Sequence, residues 1–279
     1  QNMLQQIKED VDGKRVLISG SGNVATHAAE KVLQLGGKPI TLSDSGGFIE
    51  CSDGLTQEQI DWIKELKDVR RGRISEAADE YKNINFHADK RPWGVAADMA
   101  VPSATQNEVN GEDASVMIKN GVQLVAEAAN MPCEQSAVDA FIDAGVNFGP
   151  AKAVNAGGVG VSGLEMSQNS ARIAWDANQL ADMLQTMMKS IHDSCVEYGE
   201  ESGGKVNYLK GANVAGFMKV AEAMMTTDRY AKAARSELPN GASLVGLVKG
   251  AGMIEPNMGT MLCFLVTDAC MERSTMQAC

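Results

Sequence analysis

Short apolar runs and amphipathic stretches alternate along the first part of the chain. Residues 15–19 (RVLIS) form an apolar run that stops at Gly20, which predicts a buried strand entering a turn. Apolar positions then recur at helical spacing over residues 23–35, and Gly36 and Gly37 end this stretch. A second strand is predicted at residues 39–43. The opening pattern is therefore strand, turn, helix and strand.

Further apolar runs of strand length follow, and helical patterns separate several of them. Residues 1–13 have the pattern of the end of a helix. Strands that alternate with helices predict a parallel sheet with helices on both faces. The expected fold class is α/β, a Rossmann-like doubly wound and mostly parallel sheet. The further predicted strands lie at residues 84–86, 97–101, 123–126 and 146–148, and one helix between them at residues 136–144.

A long helical part is predicted to follow the sheet. Residues 162–198 have a helical pattern throughout, and residues 215–225 form one more helix. Met183, Leu184 and Met187 lie on the apolar side of the long segment. We interpret these side chains as core-filling, with contact to a ligand as the alternative.

The chain changes character after residue 225. Residues 226–240 are polar, residues 243–248 are strand-like, and residues 250–259 are rich in Gly, Pro and Asn. This change predicts a short appended α+β segment. We therefore divide the chain into a first domain of residues 1–225 and a second segment of residues 226–279.

Composition and charge disfavour several classes of protein. Hydrophobic residues make up 44% and charged residues 22% of the chain, and no apolar run approaches the roughly 20 residues that cross a bilayer. A formal net charge of -11 leaves no basic surface suited to nucleic acid. The six cysteines form no C-x-x-C pair, which disfavours zinc and a disulfide scaffold. We expect a cytoplasmic protein, and Gln1 at the first position fits a chain that is part of a longer protein.

A glycine-rich turn joins the first predicted strand to the first predicted helix. In the sequence GSGNVA of residues 20–25, Gly20 permits a tight turn and Gly22 lets the backbone approach a pyrophosphate. Ala25 replaces the third glycine where helix and strand pack, and the amide groups at the helix start face the anion. The alternative is a strand-to-helix turn without a ligand.

An acidic residue at the end of the second predicted strand fits the same interpretation. Asp44 follows Gly20 by 24 residues, close to the ~20 expected for a carboxylate that binds a ribose. A carboxylate there favours NAD. The hydroxyl groups of Ser43 and Ser45 flank it, and a basic segment would bring positive charge if it folds back, although a solvated helix face is as plausible. NAD and NADP both stay open on these grounds; the basic residues are Lys64, Lys67, Arg70, Arg71 and Arg73.

Seven ordered blocks over residues 1–225 resemble the cofactor-binding domain of the hexameric glutamate dehydrogenases, particularly the NADP-linked members. The number and the order of the blocks make coincidence a poor explanation. The blocks are residues 18–25 (ISGSGNVA), 42–47 (LSDSGG), 102–108 (PSATQNE), 127–132 (EAANMP), 155–159 (NAGGV), 162–169 (SGLEMSQN) and 211–217 (GANVAGF).

The resemblance implies roles for individual residues. The glycine loop would cradle the cofactor, Asp44 and Ser45 would face its adenosine ribose, and four further residues would lie along its nicotinamide half. Val159 and Ser162 would line the glutamate pocket, with Ser162 binding a substrate carboxylate. Read without the family, residues 155–158 are a flexible turn and Ser162 is a helix cap. The implied cofactor contacts are Gly20, Ser21, Gly22, Asn23, Val24, Asp44, Ser45, Ala104, Thr105, Asn130 and Asn155.

The resemblance also implies an activity, namely reversible NADP-dependent oxidation of L-glutamate to 2-oxoglutarate and ammonia. The serine-flanked Asp44 looks like the NADP-linked members, with NAD as the alternative cofactor. The family's catalytic lysine and carboxylate belong to an N-terminal substrate domain, which we do not find in this chain, while Lys152 and Lys219 are expected to have surface or packing roles. A homo-oligomer is expected for the complete protein. The alternative is a nucleotide-binding module without turnover.

A second resemblance concerns the end of the chain. Residues 249–262 (KGAGMIEPNMGTML) look like the self-cleavage region of the ornithine acetyltransferases, also called glutamate N-acetyltransferases, with a similarity that begins near residue 226. In that family the chain breaks before a threonine that becomes the nucleophile, and Thr260 matches it. Gly259 stands where the family usually has alanine. An uncut loop that enters a strand at residues 261–266 is the alternative.

Overall fold

The computed structural model describes residues 1–225, 233–237, 243–250 and 261–267. Contacts between residues divide the chain into one unit of Gln1–Val214 and a second of Ala215–Cys279. The division between residues 225 and 226 stays a prediction. The strands are β1 Arg15–Ile18, β2 Lys38–Pro39, β3 Thr41–Asp44, β4 Gly47–Glu50, β5 Asn85–Ala88, β6 Met99–Val101, β7 Leu124–Ala126, β8 Asn147–Gly149, β9 Ala233–Glu237, β10 Ser243–Gly250 and β11 Met261–Thr267. The α-helices are α1 Asn2–Gln6, α2 Asn23–Gln34, α3 Gln57–Glu65, α4 Glu76–Glu80, α5 Gly111–Lys119, α6 Gln135–Asp143, α7 Ala151–Val154, α8 Ala156–Ala171, α9 Ala177–Gly199 and α10 Tyr208–Met225.

The centre of the first unit is a five-stranded sheet in the order β2-β1-β6-β7-β8, and every pair in it is parallel. The order reverses next to β1, because β2 lies on one side of it and β6 on the other. Helices α2, α5 and α6 connect successive strands, as parallel pairing requires. The prediction of a doubly wound, mostly parallel α/β fold is confirmed.

Side chains of β1 show why both faces of the sheet are covered. Val16 and Ile18 belong to one buried cluster, together with Ala25 of α2. Leu17 belongs to a second cluster with Phe141 of α6. Successive residues of a strand point to opposite faces, so the continuous apolar run needs helices on both sides of the sheet. Because the strand order reverses next to β1, the carboxyl end of β1 lies where ligands bind in open α/β sheets.

A small antiparallel sheet corrects two of the predicted strands. The strand predicted at residues 39–43 is interrupted at Ile40, and its second part is β3. Strand β3 pairs with β4, and β4 pairs with β5, all antiparallel. The run predicted at residues 84–86 therefore belongs to this separate sheet and not to the parallel one. Between β4 and β5 lie α3 and a π-helical turn, Leu66–Arg70.

The long helical segment predicted over residues 162–198 is two helices. Helix α8 begins earlier, at Ala156, and ends at Ala171, where its C-cap residue Arg172 has a left-handed φ of 54°. Helix α9 starts anew because the side chain of Asp176 accepts hydrogen bonds from the amides of Asn178 and Gln179. Met183, Leu184 and Met187 of α9 are half-buried rather than core-filling. Glycines of α8 make room for these side chains, since a Cβ on Gly160 would lie 2.6 Å from Cε of Met187.

The described residues of the second unit include an antiparallel sheet in the order β11-β10-β9. The strands predicted at residues 243–248 and 261–266 are present as β10 and β11. Within the described ranges, no helix is both long enough and apolar enough to cross a bilayer.

Candidate functional site

The turn after β1 brings three loops together. Gly20 has a φ of +83°, and a Cβ on it would lie 3.1 Å from both the Cα of Ala104 and the carbonyl oxygen of Ser103. Only glycine combines this conformation with such close backbone contact. The amide of Gly20 also donates a hydrogen bond of 2.8 Å to Oγ of Ser43. The turn is thereby held against the loop after β6 and against β3.

Helix α2 begins in open space directly after this turn. Gly22 is its N-cap, with φ −86° and ψ −172°, and no side chain caps the first amide groups. No heavy atom lies within 4 Å of a Cβ placed on Gly22. Asn23 and Val24 are exposed, whereas Ser21 is buried. An uncapped helix start with free amides is suited to an anion such as a pyrophosphate.

Asp44, at the end of β3, has a carboxylate that is already bound by the protein. Oδ1 accepts a hydrogen bond from the amide of Gly46 at 2.8 Å, and Oδ2 accepts one from the amide of Ile74 at 3.0 Å. Nζ of Lys67 lies 3.4 Å from Oδ2. Burial alone would raise the pKa of Asp44, but the two amides and the Lys67 ammonium hold this pKa below its ordinary value. The group is therefore a carboxylate at neutral pH, and its role at a ribose stays a prediction.

The basic segment does fold back onto the end of β3. Lys67 lies in the π-helical turn, and its Nζ also donates to the carbonyl oxygen of Gly72 at 3.0 Å. Nη1 of Arg73 donates to Oγ of Ser45 at 2.6 Å and lies 3.8 Å from Oδ2 of Asp44. The Arg73 side chain remains 65% exposed. Two positive charges thus surround one carboxylate at this corner.

The other basic residues of the segment point elsewhere. Lys64 pairs with Glu30. The Arg70 guanidinium lies 4.5 Å from the ring centroid of Trp62. Arg71 ends the π-helical turn in a left-handed conformation with a φ of 57°. Lys67 and Arg73 are therefore the members of the basic segment that the structure brings to Asp44.

The loop after β6 is tied to the end of β1 by Glu108. Oε1 of Glu108 accepts hydrogen bonds from the amides of Ala104 at 2.9 Å and Thr105 at 3.3 Å, and from Oγ of Ser19 at 2.9 Å. Oγ of Ser19 in turn accepts a bond of 2.8 Å from the amide of Ser103. Ala104 and Thr105 remain exposed. The loop that carries two of the four residues predicted for the nicotinamide half therefore lies beside the glycine turn.

Asn130 and Asn155 come together at the ends of β7 and β8. Nδ2 of Asn155 donates to Oδ1 of Asn130 at 2.7 Å. Both line a cavity of about 660 Å³. Buried Glu127 holds the loops that carry them, because its Oε1 accepts from the amide of Cys133 at 3.1 Å and its Oε2 from the amide of Ala151 at 2.7 Å.

Helix α8 carries the two residues predicted for the substrate pocket. Val159 is 80% exposed and Ser162 is also exposed. They are three residues apart in a helix and so are neighbours on its surface. Ser162 lies well inside α8, so its interpretation as a helix cap is wrong, and so is that of residues 155–158 as a flexible turn.

Lys152 and Lys219, for which surface or packing roles were expected, lie at the surface. Nζ of Lys152 donates to Oδ1 of Asn213 at 2.5 Å, and Lys219 is exposed. Thr260 lies outside the described residues, so its assignment stays a prediction.

Two acidic residues have roles that the sequence patterns did not reveal. Glu108 and Glu127 lie within the quoted blocks, yet neither was assigned a function. One signal was available, because Glu127 directly follows a buried strand, and a carboxylate there must be paired. Its partners are backbone amides from separate loops, which no residue pattern specifies.

The parallel sheet, the tight glycine turn and the uncapped start of α2 define a protein of the Rossmann-like α/β class. Comparison with known proteins gives the family. The family model described as Glutamate/Leucine/Phenylalanine/Valine dehydrogenase matches residues 1–227. This chain belongs to that family.

Individual relatives agree with this assignment. The NAD(P)-specific glutamate dehydrogenase of Xylanibacter ruminicola is 52% identical over 230 residues, covering 82% of this chain and 52% of the relative. The NADP-specific glutamate dehydrogenase of Haemophilus influenzae is 47% identical over 231 residues, covering 82% and 51%. The crystal structure of Plasmodium falciparum glutamate dehydrogenase has a TM-score of 0.78 at 37% identity, covering 81% of this chain and 49% of that one.

The matched relatives differ from this chain in length and from one another in the cofactor that their names give. The chain spans about half the length of the curated relatives it matches, and matched relatives include NAD-specific, NADP-specific and NAD(P)-specific enzymes. The family match ends at residue 227. The resemblance of the later residues to ornithine acetyltransferases stays a prediction.

Proposed function

We propose that this chain is the cofactor-binding part of an NADP-dependent glutamate dehydrogenase. The complete enzyme would interconvert L-glutamate with 2-oxoglutarate and ammonia. The observation that carries the choice of NADP is the convergence of Lys67 and Arg73 on Asp44 and Ser45. A lone carboxylate would repel a 2'-phosphate, whereas the two cations beside Asp44 offset its charge, and Arg73 keeps an exposed guanidinium that can bind a phosphate.

The residues present fit an anionic dinucleotide. The amides at the start of α2, with Gly22 as the close-approach position, would hold the pyrophosphate. Asp44 and Ser45 would face the adenosine ribose, with Arg73 presenting its exposed guanidinium to the 2'-phosphate. Ser21, Asn23 and Val24 complete the loop around Gly20.

The nicotinamide half would lie along the loops that follow β6 and β7. Ala104, Thr105, Asn130 and Asn155 are the proposed contacts, because Ala104 contacts Gly20, Thr105 follows it in the same loop, and the two asparagines line the cavity. The nicotinamide supplies the hydride acceptor or donor when the cofactor is bound. The side chains of the asparagine pair present amide groups that can orient polar atoms of the ring and of the substrate.

The substrate and the acid–base groups complete the proposal. Val159 would line the glutamate pocket, and Ser162 would donate a hydrogen bond to a substrate carboxylate. The catalytic lysine and carboxylate would belong to the part of the relatives that this chain does not cover. A homo-oligomer is proposed for the complete protein.

Fluorescence titration of the chain with NADPH and with NADH tests the cofactor assignment. We expect saturable NADPH binding that is tighter than NADH binding. An assay with 2-oxoglutarate and ammonium then separates an active enzyme from a binding module, because binding without NADPH oxidation supports the module. Absence of binding to either nucleotide contradicts the proposed function.

The alternative of an acetyltransferase fragment has its own test. Intact-mass measurement distinguishes an uncut chain from two pieces divided before Thr260. We expect the uncut mass, because the described residues provide no established oxyanion site for a threonine nucleophile. Two pieces would favour the acetyltransferase activity.

A further inference from the structure

Three hydrogen bonds converge on a single oxygen of Glu108. Oε1 accepts from the amide of Ala104 at 2.9 Å, the amide of Thr105 at 3.3 Å and Oγ of Ser19 at 2.9 Å. Ser19 directly precedes the glycine turn, whereas Ala104 and Thr105 belong to the loop after β6. One side-chain atom thus joins the ends of two neighbouring strands of the parallel sheet.

The backbone of Glu108 is itself held in place. Its carbonyl oxygen accepts a hydrogen bond of 2.9 Å from Nη1 of Arg91, and the same nitrogen lies 2.8 Å from Oδ2 of Asp113. Asp113 also accepts a bond from the amide of Asn110 at the start of α5. The side chain of Glu108 therefore projects from a fixed point, so it can define the position of what it binds.

The atoms that Glu108 binds lie where a ligand would approach. Ala104 and Thr105 are exposed, and the backbone at Ala104 is in close contact with Gly20. Their amides would otherwise be free to bond with water, because they are not part of a helix or strand. Loss of Glu108 should therefore release this loop without removing apolar side chains from the core.

We propose that Glu108 is a positioning residue, which uses Oε1 to fix the Ala104–Thr105 loop against the glycine turn for binding of the nicotinamide half of the cofactor. This inference rests on the proposed function. It assigns Glu108 no contact with the cofactor, since its effect passes through the backbone of Ala104 and Thr105.

The chemistry of the three bonds predicts which substitution is tolerated. All three need an acceptor at one oxygen, and the carbonyl of glutamine offers the same acceptor. Burial raises the pKa of Glu108, against the opposing effect of its donors. The charge is therefore not the feature that the site favours, and Glu108→Gln should keep the loop in place whereas Glu108→Ala should not.

The experiment compares the full chain with Glu108→Gln, Glu108→Ala and the exposed control Glu80→Ala. The first measurement is amide hydrogen exchange at Ala104 and Thr105 without nucleotide, so its result does not depend on cofactor binding. We expect exchange at both amides to rise about tenfold or more in Glu108→Ala only. Unchanged exchange in that variant, or equal loss in Glu108→Gln, would overturn the proposal.

The second measurement compares NADPH with 2',5'-ADP, which carries the adenosine half and its 2'-phosphate but no nicotinamide. We expect Glu108→Ala to raise the Kd for NADPH about tenfold while leaving the Kd for 2',5'-ADP unchanged. Equal weakening of both ligands would indicate general damage and refute a role specific to the nicotinamide half. If the wild-type chain binds neither ligand, the proposed function fails, and the exchange measurement still decides whether Glu108 holds the loop.

Discussion

Nη1 of Arg73 lies 2.6 Å from Oγ of Ser45, although the two residues are 28 positions apart in the chain. The contact brings a guanidinium to the end of β3 and leaves most of its side chain exposed. Lys67 approaches the neighbouring Asp44 from the same segment. This corner is therefore the part of the proposed cofactor site where the charge of the ligand should matter most.

Replacement of Arg73 by alanine should weaken NADPH binding and leave NADH binding nearly unchanged. A charge-assisted hydrogen bond to a phosphate contributes about 1.5–3 kcal/mol, so we expect the Kd for NADPH to rise roughly tenfold to a hundredfold. Fluorescence titration with both nucleotides measures the ratio of the two constants.

Lys119→Ala is the matched control, since it removes one exposed positive charge from the end of α5. This control should change neither the Kd for NADPH nor the Kd for NADH. Equal weakening of NADPH and NADH by Arg73→Ala would show that Arg73 does not read the 2'-phosphate.

A methyl group at Gly22 should weaken NADPH binding without lowering the stability of the fold. No heavy atom lies within 4 Å of the added Cβ, and the φ of Gly22 is negative, so Gly22→Ala should keep the Tm within a few degrees of the wild type. The methyl group would occupy the approach of the pyrophosphate, and NADPH affinity should fall at least about tenfold. Calorimetry and nucleotide titration on the same sample check both expectations.

Gly94→Ala is a suitable comparison because its Cβ also meets no atom within 4 Å. It should leave both Tm and affinity unchanged. Normal NADPH binding by Gly22→Ala would show that the pyrophosphate does not bind at the start of α2.

Glutamine should be poorly tolerated at Glu127, in contrast to Glu108. Both oxygens of Glu127 accept hydrogen bonds from backbone amides, those of Cys133 and Ala151. A glutamine would face one of these amides with its own NH₂ group and leave a buried donor unpaired. We expect Glu127→Gln to lower the free energy of unfolding by about 1–3 kcal/mol.

Urea denaturation of Glu127→Gln and Glu108→Gln side by side measures this contrast. The Glu108 variant should be the more stable of the two at neutral pH. Equal stability would mean that the second oxygen of Glu127 contributes little.

The stabilising contribution of Asp44 should disappear in acid. Its pKa in the folded chain is lowered, so the contribution is fully present above the unfolded-state pKa of about 3.9 and is lost as the pH falls through the folded value. Asp44→Asn should therefore be less stable than the wild type at pH 7, with a difference that shrinks below about pH 4. Unfolding curves at several pH values, with carbon NMR titration of the Asp44 carboxyl, test whether this difference in stability shrinks as the pH falls. A difference that grows on acidification would contradict it.

Local sequence signals were sufficient for the glycine turn and the parallel sheet. Gly20 comes two residues after a strand that ends in three buried apolar residues, and α2 starts three residues after Gly20. Both signals depend on neighbouring residues, since burial on both faces requires the continuous apolar run and the turn requires glycine. The parallel sheet of the first unit could therefore be predicted from the sequence.

The antiparallel sheet and the division of the long helical segment could not be predicted from the sequence. Strand β4 begins at Gly47, directly after a serine–glycine turn that also fits a ligand-binding loop. The strand has only four residues, so its sequence did not indicate a separate strand. Helix α9 begins at a capping box at Asp176, and its N3 partner Gln179 forms the reciprocal bond. That signal was present and was outweighed by helical spacing on both sides of it.

The contacts of Lys67 and Arg73 with Asp44 could be predicted only in part. The basic residues were visible, but whether they form a solvated face or turn toward β3 depends on the path of the chain between residues 50 and 74. A tertiary contact decided it, namely the hydrogen bond from the amide of Ile74 to the Asp44 carboxylate.

The π-helical turn Leu66–Arg70 gives the basic corner an unusual sensitivity to chain length. Such a turn spaces its bonds five residues apart instead of four, so it accommodates one residue more than an α-helical turn. Deleting a single residue there would shorten the connection from α3 to Ile74 by one residue and displace the Arg73 guanidinium, while β3 and the Ser45 that follows it stayed untouched. The proposed preference for NADPH over NADH would thus change through the loss of one residue in this turn, with no substitution at Asp44 or Ser45.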